Sequence, residues 1–266
     1  MPFNPKQTKV IASTFDRAQE LAAKRIPVAI ATIVRGKNVG AKLLVLPDGR
    51  SGTLGTNVLD DAAEEIAREM LGNEKSGVRV LELADEGVEI FFDVYPPAPQ
   101  LIIFGAVHVA QALVTFARPL GYRIIVIDAR RSLATRERFP DVDQLIVEWP
   151  DEALKHLEIT PSTDIAILTH DPKFDEPAIL GSLATEARYI GAVGSRKTNA
   201  ERRQRMIDGG VSPENMDRVR GPIGLDIGGS TPEEMAISIL AEMIAVRHGR
   251  SGGSLRKGSG SIRADS

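Results

Sequence analysis

The chain has 266 residues, 42% hydrophobic and 26% charged, with a formal net charge of −3. That composition is ordinary for a globular protein of one large or two modest domains, at roughly 100–200 residues per domain, and the charge gives no general attraction to nucleic acid. Zero cysteines exclude disulfides, thiolate zinc sites, iron–sulfur clusters and a cysteine nucleophile.

The polar, proline-bearing opening at residues 1–9 reads as no secretory signal, and no apolar run approaches membrane-spanning length. A reducing cytoplasm is the expected location, with no membrane partner. Residues 6–25 read as one amphipathic helix, with Ile11, Phe15, Ala18, Leu21 and Ala22 near one face, stopped by Pro27. Two β-rich runs follow at 28–34 and 42–46, and Pro47-Asp48-Gly49-Arg50 reads as a tight turn. Residues 57–70 form the second expected helix, capped by Thr56 or Asn57. Runs 78–83 and 88–94, separated by Asp85-Glu86-Gly87, make a hairpin. The first domain, residues 1–95, is thus a small α+β layer.

The prolines of 96–100 read as a stiff linker. Beyond them, strands and helices alternate. Strands are expected at 101–104, 123–127, 145–147, 164–169 and 189–193, and helices at 108–120, 152–157, 177–187 and 198–207. A last helix, introduced by Ser230-Thr231-Pro232-Glu233-Glu234, runs to about Val246. Alternation of this kind predicts a Rossmann-like α/β domain over 101–249, with a parallel sheet covered on both faces and ligands beyond the carboxyl ends of its strands. The glycine- and serine-rich tail, 250–266, is expected to be disordered.

Candidate chemistry gathers at those strand ends. Gly105-Ala106-Val107-His108 forms the turn of a mononucleotide-binding βαβ unit, and Asp128 lies 23 positions after Gly105, close to where an acid grips a ribose hydroxyl. Val107 occupies the place of the second fingerprint glycine, where a β-branched side chain opposes close approach of a pyrophosphate. Arg130 and Arg131 follow Asp128 and suit a phosphate, so the ribose end stays open. Gly194-Ser195-Arg196-Lys197 opens a helix and reads either as an anion site or as a plain capping turn. Arg202, Arg203 and Arg205 behind it read as a solvated face. The segment 221–229, with Gly224, Asp226 and Gly228, can bring backbone close to a ligand or simply cross tightly. His170 is a modest acid–base candidate; the four histidines show no metal spacing, so neither a metal site nor a catalytic residue is assigned.

Tyr189-Ile190-Gly191 through Gly194-Ser195-Arg196, Pro222 through Gly228, and Thr231-Pro232-Glu233-Glu234 resemble the XdhC/CoxI family of xanthine dehydrogenase accessory proteins. Gly105 with His108-Val109-Ala110, and Asp128 with Arg130, look like that family's Rossmann-like turn and second-strand end. The resemblance implies a cofactor chaperone rather than an enzyme. It would bind molybdenum cofactor (molybdopterin) in the crevice, work with a cysteine desulfurase, and hand its cargo to a molybdenum hydroxylase; a homodimer stays open. The stretch 52–60 departs from the family pattern, with Val58 where the resemblance places a cysteine. Two rivals remain: an NAD(P)-dependent oxidoreductase using the same crevice, which Val107 opposes, and a cofactor-free scaffold for the hydroxylase.

Overall fold

The computed structural model describes residues 5–24, 26–83 and 86–257, which form two compact units divided between Ala98 and Pro99. The first contains helix α1 (Pro5–Ala23), strands β1 (Val28–Arg35), β2 (Lys42–Leu46) and β3 (Gly49–Thr53), helix α2 (Asn57–Gly72), and strands β4 (Gly77–Leu83) and β5 (Glu86–Tyr95). Its strands form one antiparallel sheet in the order β3-β2-β1-β5-β4. The alternation of β1 separates two cores: Ala29, Ala31 and Ile33 cluster with Ala63, Ala67 and Met70 of α2, whereas Val28 and Ile30 cluster with Ala18 of α1.

The expected tight turn at 47–50 is a turn only at Pro47 and Asp48. Gly49 already begins β3, which pairs with β2 from Leu46↔Gly49 to Lys42↔Thr53. Its Gly-Arg-Ser-Gly-Thr sequence has no apolar alternation, so the strand owes its existence to the edge of β2 rather than to its own propensity. Thr56 is the cap of α2, its hydroxyl accepting the Leu59 amide at 3.3 Å. Val58, in the first turn, is 65% exposed. The expected helix end at Arg25 and the hairpin residue Asp85 lie outside the described residues.

The second unit runs β6 (Gln100–Phe104), α3 (His108–Ala117), β7 (Arg123–Ile127), β8 (Gln144–Ile146), α4 (Pro150–Leu154), β9 (Thr163–Ile167), α5 (Pro172–Leu183), β10 (Tyr189–Ala192), α6 (Arg196–Asp208), α7 (Pro213–Met216), β11 (Val219–Arg220) and α8 (Pro232–Arg247). All six strands are parallel, in the order β11-β10-β9-β6-β7-β8. This is the Rossmann order, with the first strand of the unit between its second and fourth, and the chain reverses direction across the sheet between β6 and β9. Leu101, Ile103, Ile124 and Val126 cluster on one face with residues of α3 and α8; Ile102, Phe104, Ile125 and Ile127 cluster on the other with residues of α4, α5 and α6. Strands buried on both faces are why these segments are near-continuous apolar runs.

Several boundaries differ from the expectation. Helix α5 starts at Pro172 rather than Pro177, because Asp171 caps it by accepting the Lys173 amide at 3.0 Å, leaving Pro177 inside the helix. Pro150 likewise opens α4 earlier than expected, and the expected helix at 108–120 tightens into a 3₁₀ turn at Arg118–Leu120, where Pro119 sits. Strands β9 and β8 end earlier than read, and α7 and β11 are too short to show in the sequence. Residues 250–257 are exposed, with a 3₁₀ turn at Leu255–Lys257; the rest of the expected disordered tail, 258–266, lies outside the described residues. Among the described residues no helix is long and apolar enough to cross a membrane.

Candidate functional site

The carboxyl ends of β7, β6, β9 and β10 carry the expected residues in two stations. At the first, Gly105 has φ +109, and a Cβ there would lie 2.6 Å from Thr169 Cγ2 at the end of β9, so only glycine fits at the switch point. The Gly105 amide donates to Ile127 O at 2.8 Å and the Ala106 amide to Asp128 Oδ2 at 2.8 Å. Asp128 is 2% exposed. Its oxygens also accept from the Arg130 amide at 2.9 Å, from Nε at 2.9 Å and from Nη2 at 2.7 Å. The carboxylate therefore braces the end of β7 to the turn after β6. Burial alone pushes it up, but the Arg130 guanidinium and the amides of Ala106 and Arg130 outweigh burial and hold it below the usual carboxylate value. Val107 is the cap residue of α3 and makes no side-chain cap bond; its half-buried side chain rests against the core on the α3 face and is otherwise open at the turn. His108 and Arg130 are exposed.

A buried relay leads from this turn to the second station. The Thr169 hydroxyl donates to Asp175, whose carboxylate accepts Arg202 Nη2 at 2.8 Å; these two side chains are 1% and 5% exposed. Arg202 Nη1 donates to Val193 O at 3.1 Å and to Asn199 Oδ1 at 2.7 Å, and Asn199 Nδ2 donates to the carbonyls of Gly194 and Ser195 at 3.0 and 3.1 Å. Arg202 thus corrects the expected solvated face. It points inward because Asp175 waits on α5, a partner that no spacing along the chain reveals. Burial raises the Asp175 carboxyl above its usual value against the pull of Thr169 and Arg202.

The second station is a cleft of about 600 Å³ between the start of α6 and the glycine-dense loop. Ser195, Arg196 and Lys197 form one wall; Gly224, Asp226 and Gly228 are on the other. Ser195 is the helix cap, its hydroxyl accepting the Thr198 amide at 3.0 Å. Gly194, at φ +130, makes the turn before it. The opposite wall is fixed by α8: Glu242 accepts the Gly224 amide at 2.9 Å and the buried Tyr189 hydroxyl, and Ser238 donates to Leu225 O at 2.5 Å. Gly224 has φ +97, and a Cβ on it would meet Ser238 Oγ at 2.5 Å. Burial, then the charge and hydrogen bond of Glu242, push the Tyr189 hydroxyl far up, so it remains a donor. Across the mouth Arg196 Nη2 reaches Asp226 Oδ2 at 3.5 Å, with side chains 87% and 86% exposed. Lys197 is equally open, 3.9 Å from Glu201.

The arrangement exposes two cations, faced by the Asp226 carboxylate, beside a close-packed backbone loop, chemistry that suits an anionic group. Among the described residues no group of three or more His, Asp or Glu is placed to hold a metal, and His170 is exposed in the loop after β9. Sequence reasoning missed Asn199, Arg202 and Glu242, which hold the cleft walls without lining the cleft; nothing in their spacing marks them.

The family described as "XdhC Rossmann domain" matches residues 101–243, and "XdhC and CoxI family" matches residues 21–82. An Escherichia coli K12 relative, the uncharacterized protein YqeB, is 29% identical over 92% of this chain and 48% of its own length. A Bacillus subtilis relative, named as a probable subunit of xanthine dehydrogenase, is 33% identical over 61% of this chain and 47% of its own. The E. coli molybdenum cofactor insertion chaperone PaoD is 27% identical over 58% and 42%. The chain therefore spans about half the length of the curated relatives it matches. A solved structure described as a xanthine dehydrogenase, from Bacillus halodurans, shares the fold with a TM-score of 0.54 at 23% identity, covering 91% of this chain and 98% of that one. With its Rossmann domain matched over more than half of its length, the chain belongs to the XdhC/CoxI family.

Proposed function

We propose that this chain is a cytoplasmic maturation factor that binds molybdenum cofactor as cargo and delivers it to a molybdenum hydroxylase. The observation that carries the reading is the cleft, where Arg196 and Lys197 stand open opposite a glycine loop that α8 holds rigid. Its volume falls within the roughly 300–1,000 Å³ of ordinary ligand pockets. The names of the B. subtilis and PaoD relatives support the same direction.

The residues fit the phosphorylated end of such a cargo. Arg196 and Lys197 would pair with the phosphate, and the Gly224–Gly228 backbone would approach it without side-chain obstruction. With no thiol in the chain, no cysteine of this protein ligates the metal. A hydroxylase is the client in this reading, a cysteine desulfurase a further partner, and a homodimer an assembly to test. An NAD(P)-dependent oxidoreductase is the second reading, favoured by the strand order. Against it stand the Asp128 carboxylate, held by Ala106 and Arg130, and Val107 at the turn.

Reconstitution tests the proposal. A cofactor-free hydroxylase incubated with molybdenum cofactor should recover activity faster or further when the purified chain is present. Equal recovery without the chain, or steady-state xanthine oxidation by the isolated chain, contradicts it.

A further inference from the structure

An aromatic group on the ligand edge belongs to neither station. Trp149, the chain's single tryptophan, stacks on Phe174 with ring centroids 4.3 Å apart and planes 15° from parallel. The Arg130 guanidinium carbon lies over the same phenylalanine ring, 5.6 Å from its centroid. These groups come from three places: the loop after β7, the loop after β8, and the first turn of α5 after β9. Strands β7 and β6 stand between β8 and β9, and strands lie about 4.8 Å apart, so the two rings converge beside the carboxyl ends of the intervening strands.

The helix cap does not use the indole. Trp149 caps α4 through its carbonyl, which accepts the amides of Glu152 and Ala153 at 3.2 and 3.0 Å, and its side chain makes no cap bond. Phe174 is 9% exposed, yet Trp149 keeps 46% of its surface in solvent. The phenylalanine covers part of the indole and leaves the rest open. An indole held by a second ring, beside a cation, accepts the face of any planar heterocycle. Asp128, which would otherwise select a ribose hydroxyl, is already engaged by Ala106 and Arg130, so recognition at this end falls to stacking.

We propose that Trp149 is the stacking platform for the planar heteroaromatic ring of a phosphorylated ligand, a pterin or a purine, bound along this edge with Arg130 as the neighbouring cation. The inference rests on the reading above only in taking the carboxyl edge as the ligand side, and its test is separate from hydroxylase activation.

The full chain is titrated by calorimetry with guanosine 5′-monophosphate and with neopterin monophosphate, using ribose 5-phosphate as the control without a ring. Indole emission is followed in the guanosine titration. At least one ring ligand should bind saturably and ribose 5-phosphate far more weakly. Trp149→Ala should weaken binding roughly tenfold or more, whereas Trp149→Phe retains most of it. Leu120→Ala, which trims another exposed apolar residue, should leave affinity unchanged. Binding of one ring ligand alone identifies the source as purine or pterin, and binding of both identifies a shared ring site. Saturable binding of neither, equal binding of ribose 5-phosphate, or wild-type affinity in a folded Trp149→Ala overturns the proposal. Should Trp149→Ala not fold, the affinities of Trp149→Phe and Trp149→Leu and the wild-type emission decide. Emission that saturates with guanosine 5′-monophosphate, or affinity for either ring ligand that Trp149→Phe keeps and a folded Trp149→Leu loses, supports the platform; unchanged emission together with wild-type affinity in Trp149→Leu refutes it. A hydroxylase activated normally by a folded Trp149→Ala that has kept its affinity leaves the maturation reading standing and removes this one.

Discussion

The two stations on the ligand edge use similar residue types to opposite ends. At the Gly105 turn, glycine, carboxylate and arginine are engaged with one another: Asp128 is buried, and its oxygens take the Ala106 amide and three donors from Arg130. At the cleft, Arg196 and Asp226 meet only through a 3.5 Å contact between side chains that are 87% and 86% exposed. An exposed pair of that kind contributes little to stability and is readily exchanged for a ligand. The turn resembling a nucleotide fingerprint braces two strand ends together, and the open cleft leaves its charged side chains free to exchange partners.

The largest expected effect lies in the relay joining the two. Removing one partner of a buried ion pair typically costs about 3–5 kcal/mol, so Arg202→Ala should lower unfolding stability by that order in a denaturant titration. A loss under about 0.5 kcal/mol, the usual result for a solvated arginine, would restore the exposed-face reading. Next comes the brace. Asp128→Asn should cost about 1.5–3 kcal/mol near neutral pH through the loss of charge-assisted hydrogen bonds. Because the folded carboxyl is held below its ordinary value of about 3.9, its contribution is present above that pH and lost as the pH falls through the folded value. Wild type and variant should therefore converge in acid; a gap that persists at low pH would show the charge to be irrelevant. Smaller still is the effect of Val107→Gly. The wild type should bind NAD weakly by calorimetry, and the variant somewhat better. Tight NAD binding unaffected by the substitution would dismiss the steric argument and move recognition back to the fingerprint turn.

Much of this architecture is legible in the chain because the sheet is buried on both faces. Runs such as Leu101-Ile102-Ile103-Phe104 and Ile124-Ile125-Val126-Ile127 announce strands by composition alone. Strand β3 does not, since its residues satisfy a partner's edge rather than a core. Glycine at 105 and an acid at 128 are equally legible. That the acid turns back onto Ala106 is not, because that hydrogen bond joins residues 22 positions apart through the packing of two strands. Arg202 is the sharpest case. Its neighbours Arg203 and Arg205 pair with Asp217 and Glu176 at the surface, and only the position of Asp175 on another helix distinguishes it from them.

The central claim, that the cleft rather than the fingerprint turn holds the anionic end of the cargo, predicts effects of opposite sign on its two walls. Calorimetric titration of molybdopterin into wild type, Arg196→Ala and Asp226→Asn tests it, with Arg205→Ala as the control for general charge. Hydrogen bonds to charged groups contribute roughly 1.5–3 kcal/mol, so Arg196→Ala should weaken binding by about one to two factors of ten. Asp226→Asn, which removes the carboxylate competing for Arg196, should strengthen it, and Arg205→Ala should change little. Unchanged affinity in both cleft variants, or an equal loss in Arg196→Ala and Arg205→Ala, would contradict the account.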